Sequence, residues 1–329
     1  MSAEIARHEL SSYRQLGSSG LMVSATGLGC NTFGATAAPE SVGGIVGAAL
    51  DEGITFFDTA DVYGSVPGES EELLGVALGA HRDEVVLATK FGMDARGLNG
   101  ADWGARGSRR YVRRAVEGSL RRLRTDHIDL YQLHAHDPLT PVSETLQALD
   151  ELVSEGKVRY VGSSNLAAWQ VADADWTARD QRTVRFVSAQ NEYNLLRRAA
   201  ERDLLPAALR FGVGVLPYYP LASGLLTGKY RRGEKAPEGT RLARHPERLS
   251  AANFDVIDSL SVLAGEWGVP ILSLAIGALT ARPEVASVIA GARTPAQVRA
   301  NAAAGRWIPT AEQRRQLDEA SAPARSDNS

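Results

Sequence analysis

The sequence predicts an α/β fold, a single-domain (β/α)8 TIM barrel carrying an N-terminal hairpin and long loops at its C-terminal face. Three observations predict it. Short β-branched runs alternate strictly with longer helical patterns. The alternation supplies eight strands over most of the chain, the number that closes such a barrel. The two longest connections each follow a strand directly, so they fall at the rim where active sites of this fold are built. An open doubly wound sheet is the rival architecture.

Taken in order, residues 13–23 (YRQLGSSGLMV) read as a small hairpin, and 23–28 as the first barrel strand. Helical periodicity over 41–52 leads to the strand 53–57 (GITFF), and the helix 69–79 to the strand 84–89 (EVVLAT). The segment 91–107 is glycine-rich, with a lone tryptophan, and is too long for an ordinary connection. A helix over 108–123 precedes the strand 128–133 (IDLYQL), and one over 141–155 precedes the strand 158–162 (VRYVG). Further strands fit 185–189 and 212–216, with a helix over 199–211 between them. The second long connection, 222–249, is rich in charge, Gly and Pro; helices over 253–267 and 271–280 and a last strand over 285–290 follow. No repeat, low-complexity tract or linker divides the chain, so 1–320 is expected as one domain and the polar segment 321–329 as a flexible tail.

Composition narrows the function classes. Apolar residues make up 44% and charged residues 23%, a globular balance that excludes global disorder. A net charge of −3 provides no chain-wide attraction to nucleic acid or an anionic membrane. The single cysteine, Cys30, forms neither an internal disulfide nor a cysteine zinc cluster. With no long apolar run and no signal-like N-terminus, the expected location is the cytoplasm, with neither membrane nor nucleic acid as partner. Lysine is scarce, with 4 among the 36 basic residues, which draws attention to each ammonium.

The nucleotide motifs are incomplete. GLGCNT (27–32) has two glycines of a dinucleotide fingerprint but threonine at the third position, and GLLTGKY (224–230) is one residue short of a phosphate loop. The eight arginines of 106–124 decorate a helix whose other face is apolar, the pattern of a solvated surface.

The informative polar residues follow strands. Asp58 and Tyr63 follow the GITFF run, Lys90 ends the next strand and His134 the one after, so a barrel brings the four to one rim. A phenol with an ordinary pKa near 10 is a weak acid at neutral pH. A neighbouring ammonium stabilises the phenolate, an aspartate holds the ammonium, and an imidazole hydrogen-bonds a carbonyl oxygen. The set suits protonation of an alkoxide as hydride reaches carbon.

These residues carry a resemblance. FDTADVYG (57–64), ATKF (88–91), DLYQLH (129–134), GKVRYVGSSN (156–165), QNEY (190–193), YYPLASGLLTGK (218–229) and IAGARTP (289–295) run in collinear order along nearly the whole chain. The sequence resembles the aldo-keto reductase family, in the bacterial branch related to potassium-channel β-subunits and sugar-type reductases. The resemblance implies reduction of a small-molecule aldehyde or ketone with Tyr63 as proton donor, Lys90 and Asp58 tuning it and His134 orienting the carbonyl. It also implies a nicotinamide cofactor. Ser164, Asn165 and Gln190 would hold the carboxamide, and Tyr218 would stack on the ring. Leu221, Ser223, Gly224, Thr227 and Lys229 would line the pyrophosphate, with Gly291, Arg293, Gln297 and Asn301 at the adenosine end. Tyr219 stands where many relatives have serine, and Gln297 where some have arginine. Arg293 and Arg299 lie nearby, which favours NADPH, with NADH the alternative. Phe33, Trp103 and Tyr193 are expected to line an aromatic substrate mouth.

Two other readings stand beside this one. His134-Ala-His136 resembles a strand-borne metal pair, which would make the chain a metal-dependent barrel hydrolase; the reductase reading requires no metal. A cofactor-sensing protein with little turnover would keep the same residues. Oligomeric state is left open.

Overall fold

The computed structural model describes residues 12–240, 242–250 and 252–322. The first residues of the expected domain and positions 323–329 of the expected tail lie outside that description. The chain opens with an antiparallel hairpin, β1 (Tyr13–Gln15) and β2 (Met22–Ser24). Eight parallel strands then follow: β3 (Thr26–Gly29), β4 (Phe56–Asp58), β5 (Val86–Phe91), β6 (Ile128–Leu133), β7 (Val158–Ser164), β8 (Ser188–Gln190), β9 (Gly214–Val215) and β10 (Val288–Gly291). They are hydrogen-bonded in sequence order, with β10 pairing back onto β3. Between β9 and β10 the ring closes through Val215, whose N–H donates to Glu284 O (2.8 Å) and whose O accepts from Ala286 N–H (3.0 Å). The expected barrel is therefore present, with its hairpin.

Strand alternation sorts the side chains. Phe56, Ala88, Leu130, Leu216, Ala286 and Ile289 form an inner cluster, whereas Phe57, Leu87 and Tyr131, each one residue away along its strand, pack outward against the helices. The hairpin's Leu16 and Val23 belong to the inner cluster and plug one end of the barrel. At the other end the inward parity continues from Phe56 to Asp58, from Ala88 to Lys90 and from Leu130 to Gln132. The registers Lys90↔Gln132, Gln132↔Gly162 and Ser164↔Gln190 carry this polar layer around the wall. Gly162 is required there, since a Cβ would lie 2.1 Å from Ser188 Oγ.

The surrounding helices are α1 (Val42–Asp51), α2 (Glu69–Leu78), α3 (Arg109–Leu123), α4 (Val142–Ser154), α5 (Ala168–Gln181), α6 (Leu204–Phe211), α7 (Pro246–Ser250), α8 (Phe254–Glu266), α9 (Ile271–Thr280), α10 (Pro295–Arg306) and α11 (Ala311–Ala320). In α3 the buried stripe Tyr111, Val112, Ala115, Val116 and Leu120 leaves most arginines outside. The apolar patterns single out neither α5, α10 nor α11. Their buried faces are short or carried by alanine and polar residues, with Leu317 alone in α11. The predicted strand 23–28 divides at Ala25 between the hairpin and the barrel, and the predicted helix 199–211 is a 3-10 turn, Ala199–Glu201, followed by α6. No single helix among the described residues is long and apolar enough to cross a membrane.

Candidate active site

Asp58 ends β4 and Lys90 lies near the end of β5, both pointing inward and both buried. The Lys90 ammonium donates to Asp58 Oδ2 at 2.6 Å and to Thr59 O at 2.8 Å, and stands 3.4 Å from the Tyr63 hydroxyl. The second carboxylate oxygen of Asp58 accepts from Gln132 Nε2 and Gln190 Nε2, each at 2.9 Å. Tyr63 is held by its turn: its N–H donates to Ala60 O (3.1 Å), and its O accepts from Ser70 N–H (3.1 Å). The next residue, Gly64, has φ 124°, and a Cβ there would come within 2.6 Å of Glu69 Cβ and Val66 O. The Tyr63 ring meets the His134 ring edge-on, with centroids 5.7 Å apart.

Burial raises the Tyr63 phenol above its ordinary value; Lys90 pulls it down and Asp58 pushes it up again. The expected lowering by lysine is thus present but outweighed, and the resting phenol is protonated. For Lys90, burial opposes the charge, but Asp58 and Tyr63 more than offset it and the ammonium is held charged. Burial, then the Lys90 charge, pushes the His134 imidazole well below the ordinary range, so it is neutral. Its Nδ1 is buried without a partner. That leaves Nε2 as the ring nitrogen able to reach the cavity, which His134 lines.

A cavity of about 810 Å³ runs from Tyr63 and His134 to Gln297 and Asn301, within the size range of ligand sites. Every residue expected to bind the cofactor lines it: Ser164, Asn165, Gln190, Tyr218, Leu221, Ser223, Gly224, Thr227, Lys229, Gly291, Arg293, Gln297 and Asn301. Gln190 donates its amide N–H to Asp58, leaving its carbonyl oxygen for a ligand amide. Asn165 is engaged more by the protein: Nδ2 donates to His134 O (2.9 Å) and Oδ1 accepts from the Tyr218 hydroxyl (2.8 Å), so it orients the Tyr218 ring. Ala222, Ser223 and Gly224 all have positive φ, and Gly224 lies against the end of the Lys229 side chain, where a Cβ would stand 3.0 Å from Nζ. Among the described residues, Asp58 is the only carboxylate on the lining. Lys229, Arg244 and Arg293 contribute cations to it, and none of the three has a carboxylate partner among the described residues. A strip of unpaired cations beside left-handed backbone fits an anionic, elongated ligand such as a dinucleotide.

None of the three residues expected at the substrate mouth is on the cavity lining. Phe33 is wholly buried in the outer core, and Tyr193 is buried with its hydroxyl on Glu201 (2.7 Å). Trp103 is 73% exposed and lies under Arg110. Long loops and aromatic residue type alone did not decide which side chains face inward. Met93, from the same 91–107 segment, and Tyr219 line the cavity instead. Tyr219 has φ 53°, its carbonyl accepts from Asn194 Nδ2 (3.0 Å), and its ring packs edge-on against Tyr218. Of the two arginines expected beside Gln297, Arg293 lines the cavity and Arg299 is exposed and off its lining; Arg244, from the 222–249 connection, lines it as well. Gln132 was also missed, although it shares inward parity with His134. His134 and His136 do not converge: His136 is exposed and off the cavity lining, and the described residues contain no group of three or more His, Cys, Asp or Glu able to hold a metal.

Comparison with known proteins agrees with this geometry. The model of the aldo/keto reductase family matches residues 25–322. A Bacillus subtilis protein named uncharacterized oxidoreductase YrpG is 39% identical, over 87% of this chain and 89% of its own length. A probable voltage-gated potassium channel subunit beta of Oryza sativa subsp. japonica is 36% identical over 90% of this chain and 92% of its own length. L-glyceraldehyde 3-phosphate reductase of Escherichia coli strain K12 is 35% identical over 88% of this chain and 86% of its own length.

Proposed function

The chain belongs to the aldo/keto reductase family of oxidoreductases, and from that premise we propose that it reduces aldehydes or ketones to alcohols with NADPH, with Tyr63 as the proton donor. The observation that carries the reading is the Tyr63–Lys90–Asp58 chain beside a neutral His134, at the head of a cavity lined by unpaired cations. A nicotinamide held by Ser164, Asn165, Gln190 and Tyr218 would supply the hydride for the carbonyl carbon. Tyr63 holds the proton that the nascent alkoxide takes up, and the Lys90 charge stabilises the phenolate left behind. Asp58, fixed by Gln132 and Gln190, keeps the ammonium charged and aimed. Neutral His134 offers its Nε2–H to the carbonyl oxygen, where an imidazolium would add a second cation beside Lys90. Arg293 and Arg244 would clamp a 2′-phosphate, the group that separates NADPH from NADH.

None of the five tryptophans lines the cavity, so cofactor binding is best read by calorimetry, with NADPH and NADH titrated in parallel without metal. Tighter NADPH binding, with turnover of a carbonyl panel abolished in Tyr63→Phe, is the expected result. Tight binding without turnover of any carbonyl would favour a cofactor sensor. No binding of either nucleotide would sink the reading.

A further inference from the structure

Behind the Tyr63 turn lies a buried polar cluster that the proposed reaction does not use. Asp61, two residues before Tyr63, is fully buried, and its N–H donates to Lys90 O (3.2 Å). Its Oδ2 accepts from Asn99 Nδ2 at 2.7 Å, while Asp61 Oδ1 and Asn99 Oδ1 are both buried without a partner. Asn99 also reaches the Tyr111 hydroxyl (3.1 Å), and that hydroxyl lies 3.5 Å from Met93 O. Met93 and Tyr63 both line the cavity. The hydrogen bonds therefore connect the turn carrying the proposed acid to the segment supplying a substrate wall.

A carboxylate only accepts, which leaves buried oxygens unsatisfied on both Asp61 and Asn99. A carboxylic acid has an O–H to donate, and can meet an amide with a bond in each direction. The groups facing Asp61 make the neutral form the cheaper one. Glu71 on α2 is a second buried carboxylate; its charge is taken up by Arg122 of α3 (2.6 Å) and Thr89 of β5 (2.6 Å). Tyr111 of α3 and Tyr131 of β6 bring hydroxyls, and Lys90 of β5 is committed to Asp58. Burial first, and then Glu71, push the Asp61 carboxyl up to about 8, against the pull of Asn99, Arg122 and Lys90.

We propose that Asp61 is a positioning residue for the proposed reduction: as a neutral acid it clasps Asn99 and so sets the spacing between the Tyr63 turn and the Met93 wall. The role rests on the reductase reading; the protonation state can be read apart from it. Asp61→Asn imitates the neutral acid, and Asp61→Ala removes the clasp. For wild type, kcat/KM is expected to fall about tenfold as pH rises through 8, a small geometric slip at a reacting centre being worth that much. The KM for the carbonyl should rise with it. Asp61→Asn should abolish this limb, and Asp61→Ala should show the loss at every pH. If Asp61→Ala fails to fold, Asn99→Ala cuts the same clasp without stranding a charge and should raise KM likewise. In the infrared, wild type and Tyr63→Phe should both show at pH 7 the carbonyl stretch of a protonated carboxylic acid, and Asp61→Asn should lack it. Superposing pH profiles for wild type and Asp61→Asn, an Asp61→Asn variant as impaired as Asp61→Ala, or no difference in that band would each overturn the proposal. A wild type with the band but without carbonyl turnover would overturn the reductase reading, and the positioning role with it.

Discussion

In the proposed reduction Tyr63 would release a proton although burial holds its phenol above the ordinary value. The Lys90 ammonium matters most once a phenolate forms, which is the difference between ground and transition states that accelerates a step. Tyr63→Phe keeps the ring edge on His134 and removes only the hydroxyl. Single-turnover kinetics should show the rate down by about 10²–10⁴-fold, the usual contribution of a general acid, with the Kd of NADPH little changed. His134 predicts a pH signature. Its pKa is depressed, so the unfolded chain binds the extra proton first, near the ordinary value of about 6.5. Stability is therefore fully present above that pH and falls as pH drops towards the depressed folded value. Thermal melts should show this decline, and His134→Gln should reduce it, while kcat/KM of the wild type shows no break near the ordinary histidine pKa.

The hairpin is the element with the clearest structural task. Leu16 and Val23 are wholly buried and complete the inner cluster with residues from β4, β5, β6 and the β10 side. Gly17, between β1 and β2, has φ 58°, and a Cβ there would lie 2.5 Å from two backbone carbonyls. Leu16→Ala should cost about 2–5 kcal/mol in denaturant unfolding, as for a large buried side chain replaced in a core. Because the plug is at the end opposite the polar layer, NADPH affinity of the folded fraction should stay unchanged. The 91–107 segment behaves differently from an ordinary loop: Gly107 N–H donates to Asp137 Oδ2 (2.6 Å), and Thr145 Oγ1 donates to Gly107 O (2.8 Å). Its C-terminal end is fixed to buried groups, which suits a wall more than a mobile cover.

For the molecule as a whole, the distribution of charge carries more than the total. A net charge of −3 hides a cavity whose lining carries unpaired cations and one carboxylate that is itself paired. Two of those cations, Arg244 and Arg293, are 49 positions apart in the chain and line one cavity because the 222–249 connection folds back, with Arg293 donating to Gly239 O at 3.1 Å. Arg244→Ala should weaken NADPH binding by roughly tenfold, the worth of one charge-assisted hydrogen bond to a phosphate, and leave NADH binding within about twofold. Equal weakening for both nucleotides in calorimetry would place Arg244 away from the 2′-phosphate.

The strand–helix alternation, the polar residues after β4, β5 and β6 and the collinear motifs are local properties, and local properties are what period and spacing encode. They were enough for the barrel and for assembling Asp58, Tyr63, Lys90 and His134 at one rim. The residues that the family resemblance assigned to a cofactor were readable through those motifs, and all of them line the cavity. Side-chain direction in the long connections was not: Trp103 turned out to solvent, Phe33 and Tyr193 into the core, and Met93 into the cavity. No repeating backbone sets orientation in such segments. Gln132 and the Asp61–Asn99 clasp depend on which inward groups meet across strands, and the protonation of Tyr63 and Asp61 depends on burial. Pairing between distant residues and exclusion of water exist only once the barrel has closed.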